Sequence, residues 1–261
     1  MNTRPEVLVH HDAALLAQAA AARLVTRLVD VQADRGAASL VLTGGGVGTA
    51  ILQELAAIPA RDAVDWRRVD LWWGDERFLP EGHPDRNETQ ARAALIDKVE
   101  VDPARVRPMP AADGPDGDDP EAAARRYASW LAEAARPDED VAVPAFDVLL
   151  LGVGPDAHVA SLFPEMPAMY EEDRTAVAVR GAPKPPPTRV SLTLPAIRAA
   201  REVWLVAAGE SKAQAVHLAL SGGGPVQVPA AGARGWERTL VLLDEPAANR
   251  LPHQLRSRGL L

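Results

Sequence analysis

Apolar and polar positions along the chain follow two different periods. Short apolar runs at EVLVH (Glu6–His10), SLVLT (Ser39–Thr43), Arg68–Trp73, FDVLLLGV (Phe146–Val153), Val203–Ala208 and Thr239–Leu243 read as strands. Between them lie segments with helical spacing: Asp12–Val31, Thr49–Ile58, Asn87–Lys98 and Glu121–Ala135. Apolar strands alternating with amphipathic helices predict an α/β fold: a Rossmann-like, mostly parallel sheet with helices on both faces. Val177–Arg180 and Arg189–Thr193 are read as further strands of that sheet. ADGPDGDDP (Ala112–Pro120) is a polar surface connector, and GAPKPPPTR (Gly181–Arg189) is too proline-rich for regular structure and predicts a stiff extended loop. No repeat interrupts the pattern. The expectation is a single domain over 1–261 with a small subdomain elaboration.

Composition narrows the chemistry. The chain has no cysteine, which excludes disulfides, thiolate–metal sites and a cysteine nucleophile and fits a cytoplasmic protein. A net charge of −8 repels nucleic acid and anionic lipid, so an anionic ligand requires cations gathered locally. The first residues, MNTRPEVLVHHDAALL, lack the layout of a signal peptide, and no apolar stretch is long enough to span a bilayer. Six histidines are present, but none stands in a His-Glu-x-x-His or comparable pattern, so neither a catalytic metal nor any other cofactor is expected.

In sheets of this kind ligands sit at the carboxyl ends of the strands. Three turns fall there: Gly44-Gly45-Gly46, Gly74-Asp75-Glu76-Arg77 and Gly152-Val153-Gly154-Pro155-Asp156-Ala157-His158. Each alone is an ordinary strand-to-helix turn, but three together, carrying an arginine and a histidine, predict one crevice. Gly44 to Gly48 lacks the Gly-Lys-Ser/Thr of a Walker loop, and Thr49 stands where a dinucleotide fingerprint needs its third glycine; a looser phosphate cradle of backbone N–H groups remains. Gly152-x-Gly154-x-x-Ala157 does match the dinucleotide spacing. Asp156 would nevertheless point a carboxylate at the pyrophosphate, and Pro164 and Pro167 cut off a long helix. Gly209-Glu210-Ser211-Lys212-Ala213 resembles a nucleophile elbow without its second glycine, and Ser211 with Gln214 reads better as a capping pair; Asn87 with Gln90 reads the same way. His158 differs from the other histidines by following a strand-end turn, two residues after a carboxylate that can orient it as a general base. Lys184 and Arg189 bracket three prolines, which would hold two cations in place for a phosphate.

These segments together resemble the 6-phosphogluconolactonase family. LTGGG (Leu42–Gly46), WWGDERFLP (Trp72–Pro80), LLGVGPDAHVASLFP (Leu150–Pro164), KPPPTRVSLTLPAI (Lys184–Ile197) and AAGESKA (Ala207–Ala213) carry the likeness in order and spacing over most of the chain. The sequence departs from the family at Gly46-Val47-Gly48, where Ser-Thr-Pro is common, and at Ala157, where glycine is usual. The resemblance implies a sugar-isomerase-like α/β fold and hydrolysis of 6-phospho-D-glucono-1,5-lactone in the oxidative pentose phosphate pathway. It implies His158 as the base with Asp156 beside it, and Gly44, Gly45, Arg77, Lys184 and Arg189 around the phosphate. The expected partner is then a small phosphorylated sugar lactone, with no nucleic acid and no membrane, and the chain a monomer or weak homo-oligomer. A glucosamine-6-phosphate deaminase-like isomerase and a non-catalytic sugar-phosphate sensor stand as rivals. The first has Asn-Glu-Pro after the histidine, where this chain has Ser161-Leu162-Phe163-Pro164, and the second usually carries a DNA-binding segment that nothing before EVLVH resembles.

Because the sequence offers no metal-ligand spacing, lactone hydrolysis should survive dialysis against EDTA. Loss of activity restored by one divalent ion would overturn that expectation.

Overall fold

The computed structural model describes residues 4–136 and 141–256. Six strands, β1 (Glu6–His10), β2 (Ala38–Leu42), β3 (Val69–Trp73), β5 (Val148–Gly152), β8 (Glu202–Ala207) and β9 (Arg238–Asp244), form one sheet in the order β1-β9-β8-β5-β2-β3. Every pairing in it is parallel. The inner strands β2 and β8 are buried at every position, so both of their faces are covered. The longer connections are helical: α1 (Ala13–Arg35), α2 (Gly45–Ala57), α3 (Asn87–Ala94), α4 (Pro120–Ala134), α5 (Leu194–Arg198) and α6 (Ala213–Leu220), with the short α7 (Pro229–Gly232), α8 (Glu245–Ala248) and α9 (His253–Arg256). None of the described helices is long and apolar enough to cross a membrane.

Local chemistry explains the boundaries. Asp12 accepts from the Leu15 N–H at 2.8 Å and starts α1, and Gly36, at φ 80°, ends it in the left-handed conformation, one turn beyond the end expected from periodicity. Its buried stripe runs Leu16, Ala20, Leu24, Leu28, Val31. Helix α2 begins at Gly45, earlier than expected, because the helix extends through its glycines. Helix α3 stops at Ala94, and Ile96–Lys98 is a separate 3-10 turn. The Ala112–Pro120 connector is a surface loop: Asp119 caps α4, and Asp116 takes a two-pronged bond from Arg126.

One expectation is corrected. The strands at Val177–Arg180 and Arg189–Thr193 do not join the main sheet. With β4 (Asp75–Arg77) they form a second, antiparallel sheet in the order β4-β7-β6, where β6 is Ala176–Val179 and β7 is Arg189–Leu192. The proline loop folds β6 and β7 into a hairpin, which only antiparallel pairing can close. Gly74 joins the two sheets: its N–H donates to Leu42 O at 3.0 Å, and its C=O accepts from Leu192 N at 2.9 Å. Gly74 is therefore a bend between the sheets, and Asp75-Glu76-Arg77 after it is an extended strand rather than part of a turn.

Edge strand β3 is closed by a side chain. The buried Tyr127 of α4 accepts from the Trp73 N–H and donates its hydroxyl proton to the Trp73 carbonyl, both at 3.0 Å. Tyr127→Phe would leave both groups of Trp73 without this partner, which costs about 1–3 kcal/mol. A thermal melt should fall by roughly 2–4 °C for each kcal/mol lost. An unchanged melt would mean that water replaces the hydroxyl.

Candidate active site

The sheet order reverses between β2 and β5: β2 leads outward to β3, and β5 leads the other way to β8. The carboxyl ends of these two strands diverge there and leave a crevice. Thr43 Oγ1 accepts from the Gly152 N–H at 3.2 Å across its floor. The cleft has a volume of about 330 Å³. Its lining includes Gly44, Gly45, Arg77, His158, Lys184 and Arg189, together with Thr43, Asp75, Asn87 and Lys212. Six of the seven sequence-predicted site residues thus line one cleft; the seventh, Asp156, touches it through His158.

The His158 turn is compact. Gly154 N–H donates to His158 O and Ala157 N–H to Gly154 O, both at 2.9 Å, which folds the imidazole back over Gly154. A Cβ at Gly154 would lie 2.0 Å from His158 Nδ1, so only glycine fits beneath the ring. Ala157, where glycine is usual, holds φ at 66°, a left-handed conformation that disfavours a side chain. Its carbonyl accepts from Ala230 N at 3.0 Å, and that long-range bond holds the turn in place.

His158 Nδ1 lies 2.5 Å from Asp156 Oδ1. A carboxylate can only accept here, so in the neutral imidazole Nδ1 carries the proton and Nε2 the lone pair. Burial acts to raise the Asp156 carboxyl. The hydrogen bond and charge of His158, the Asp156 backbone N–H and Lys184 outweigh it and hold the group down at about 2. The His158 ring packs on Phe163 with centroids 4.5 Å apart and is 14% exposed.

Opposite stands the cationic side. Arg77 donates to Asp85 O at 2.9 Å and to Asn87 Oδ1 at 2.6 Å. Asn87 in turn donates to Asp75 O at 2.8 Å. It is buried and does not cap α3, so the N-cap expectation for Asn87 is corrected. The cap comes from Glu76, whose carboxylate accepts from the N–H groups of Arg77, Asn87 and Glu88. Burial pushes Glu76 up to about 7, against the pull of buried Arg86 and those three donors. A Cβ at Gly44 would meet Asn87 Oδ1 at 1.9 Å, so glycine is required there for close approach. Gly44 precedes the first turn of α2, and the unpaired N–H groups of that turn stand at the cleft.

Lys212 is the cleft residue that sequence reading passed over. The expected cap at Ser211 does not form: Glu210–Lys212 is a 3-10 turn and α6 starts at Ala213 without a side-chain cap. This turn brings Lys212 to the cleft, where burial lowers its pKa and the charge of Lys184 lowers it further, while Asp156 opposes both. The available signal was a lysine one residue after a serine at a strand end, the same position that drew attention to Ser211.

Arg189 both lines the cleft and holds the loop beside it. Its guanidinium donates to Pro186 O at 3.2 Å, Lys184 O at 3.0 Å and Pro185 O at 3.4 Å, and it lies 3.8 Å from Asp75 Oδ2. Asp75 also accepts from Ser161 Oγ at 2.6 Å. Arg189 therefore clasps the proline loop that carries Lys184 while it also lines the cleft.

Residues 11–241 match the family described as glucosamine-6-phosphate isomerases/6-phosphogluconolactonase. The chain belongs to this family. It is 64% identical over 255 residues to the 6-phosphogluconolactonase of Streptomyces coelicolor, covering 98% of each chain. To the 6-phosphogluconolactonase of Mycobacterium tuberculosis it is 49% identical over 241 residues, covering 92% of this chain and 96% of the relative. The structure of the 6-phosphogluconolactonase from Trypanosoma brucei superposes with a TM-score of 0.82 at 27% identity, covering 95% of this chain and 99% of that one. A monomeric glucosamine-6-phosphate deaminase, at 20% identity and TM-score 0.76 over 94% of this chain and 99% of that one, shares the fold. The two activities of the family thus ride on one scaffold, and the cleft must tell them apart.

Arg189→Lys keeps the charge but loses the fork that holds three carbonyls. The Ala182 amide, which donates to Pro187 O at 2.9 Å across the loop, reports on this. Its hydrogen exchange should quicken roughly tenfold or more, as local opening becomes easier by about 1.4 kcal/mol. Unchanged exchange would mean that the prolines alone hold the loop.

Proposed function

We propose that this chain hydrolyses 6-phospho-D-glucono-1,5-lactone to 6-phospho-D-gluconate in the oxidative pentose phosphate pathway, acting in the cytoplasm as one domain. The observation that carries this reading is a histidine anchored by a carboxylate in the same cleft as Arg77, Lys184 and Lys212. The full-length likeness to proteins named 6-phosphogluconolactonase supports it.

In this reading the phosphate is held by Arg77, Lys184, Lys212 and the first amides of α2. Binding energy gathered at the phosphate orients the lactone end toward His158. Nε2 of His158 accepts a proton from water, and the resulting hydroxide attacks the lactone carbonyl carbon. The tetrahedral oxyanion is stabilised by the cations and N–H groups around it. Its collapse breaks the bond to the ring oxygen, which takes the proton back from the imidazolium. Asp156 keeps Nδ1 protonated and balances the positive charge that forms on the ring. A lactone is an activated ester, so the scheme uses neither a covalent nucleophile nor a cofactor.

The deaminase reading fails on a particular side chain. Phe163 packs against His158 and lies 5.7 Å beneath the Arg189 guanidinium, an apolar ring where the isomerase motif has its glutamate. Asp75, the other carboxylate in the cleft, is engaged by Ser161, Asn87 and Arg189.

His158→Asn keeps a polar side chain but removes the proton acceptor. It should lower kcat by about 10²- to 10⁴-fold with KM little changed. The melt must match wild type, since lost folding would return His158 to a structural role; a folded variant of near wild-type rate sinks the mechanism. Arg77→Ala should raise KM for the phosphorylated lactone on the order of tenfold to a hundredfold, the equivalent of roughly 1.5–3 kcal/mol for a charge-assisted bond. Equal losses on unphosphorylated gluconolactone would show that Arg77 does not read the phosphate.

A further inference from the structure

A second cleft, of about 760 Å³, opens elsewhere on the molecule. Its lining includes Arg198, Gly235 and Trp236, which precede β8 and β9, and Pro5, which precedes β1. It therefore lies at the amino ends of the strands, whereas the His158 cleft lies at their carboxyl ends. Arg4, Arg198 and Arg234 line it, and among the described residues no aspartate or glutamate does. For a chain of net charge −8 that is a local inversion of charge.

The two inner arginines are physically unusual. Arg234 is half-buried and donates to Ala230 O at 3.0 Å, Ala233 O at 2.9 Å and Ala219 O at 3.2 Å, which fixes its plane between the ends of α6 and α7. Burial lowers its pKa, and the charge of Arg198 lowers it further. Arg198 donates from Nε to Gly232 O at 2.9 Å, and its terminal nitrogens have no protein partner among the described residues. Neither arginine is in an ion pair with a described carboxylate. Three carbonyls near helix ends offset part of the cost of burying Arg234, and an anion between it and Arg198 would relieve the repulsion that remains.

The remaining lining describes that anion's other end. Trp236 is 48% exposed and lines the cleft, with the Arg201 guanidinium 4.8 Å from its ring centroid. Gly222 and Gly223 add lining without side chains. Two guanidinium forks suit a phosphate dianion, and an exposed indole suits a flat heterocycle. The volume falls within the range of small-molecule sites, about 300–1,000 Å³.

We propose that this cleft is a second anion site that takes a nucleoside phosphate, its phosphate between Arg198 and Arg234 and its base against Trp236. The proposal is independent of the chemistry at His158. AMP, ribose 5-phosphate and inorganic phosphate, titrated calorimetrically into the full chain, test it. AMP should bind in the millimolar range or tighter, and Arg198→Gln should weaken it roughly tenfold, the loss of about one charge-assisted bond. Trp236→Leu should weaken AMP and leave ribose 5-phosphate unchanged. Arg77→Ala, which alters only the first cleft, should leave AMP affinity as it was, and Arg198→Gln should leave lactone turnover as it was. Arg234 stays intact because its bonds hold two helix ends, and a melt of each variant confirms the fold. If AMP affinity falls with Arg77→Ala and not with Arg198→Gln, the anion binds the first cleft only and the proposal is overturned. Absence of AMP binding overturns it too, and ribose 5-phosphate binding as tightly as AMP removes the nucleoside from it.

Discussion

The buried carboxylate of Glu76 holds together what the cleft depends on. It takes the N–H groups of Arg77, Asn87 and Glu88, and Arg86, 1% exposed, lies 3.8 Å away. A charge this deep persists only when its lone pairs are occupied and an opposite charge is near. By meeting that condition, Glu76 ties strand β4 to the start of α3. Asn87 then reaches Arg77 on one side and crowds Gly44 on the other. The glycine turn before α2, the arginine of β4 and the start of α3 thus share one internal anchor.

A second anchoring pattern runs through the other wall. Ala230 N–H holds the carbonyl of Ala157 at its left-handed conformation, and Asp156 holds His158 from the next residue back. Arg189 clasps the proline loop beneath Lys184 and packs over Phe163, the ring that also supports His158. The cleft is therefore built from both sheets: His158 follows β5 and Lys212 follows β8 of the parallel sheet, while Arg77 and Arg189 belong to the antiparallel one. Gly74, bonded to both, fixes one relative to the other.

Much of this was legible from residues alone. The six parallel strands stand within a residue or two of their expected positions because apolar runs buried on both faces have few alternatives. His158 and Asp156 were found because a two-residue spacing on a turn is a local property that survives any tertiary arrangement. Two cap readings failed, each for its own reason. Asn87 and Ser211 both look like caps in sequence. Glu76, eleven residues away from Asn87, supplies the first cap instead, and a 3-10 turn displaces the second and delivers Lys212.

Periodicity, turn residues and the absence of cysteine determined the fold class, the strand ends at which a ligand could sit and the candidate base. Tertiary structure alone decided that β6 and β7 leave the main sheet, that the Arg189 guanidinium folds back on the proline loop, and that Arg198 and Arg234 line one cleft with no acid among the described residues. The first turns on the direction in which a hairpin closes, the second on the path of a loop, and the third on residues far apart in sequence. Hydrophobic pattern records which positions are buried, but burial is blind to the identity of the neighbour, and it is the neighbour that gives a charged or polar group its role.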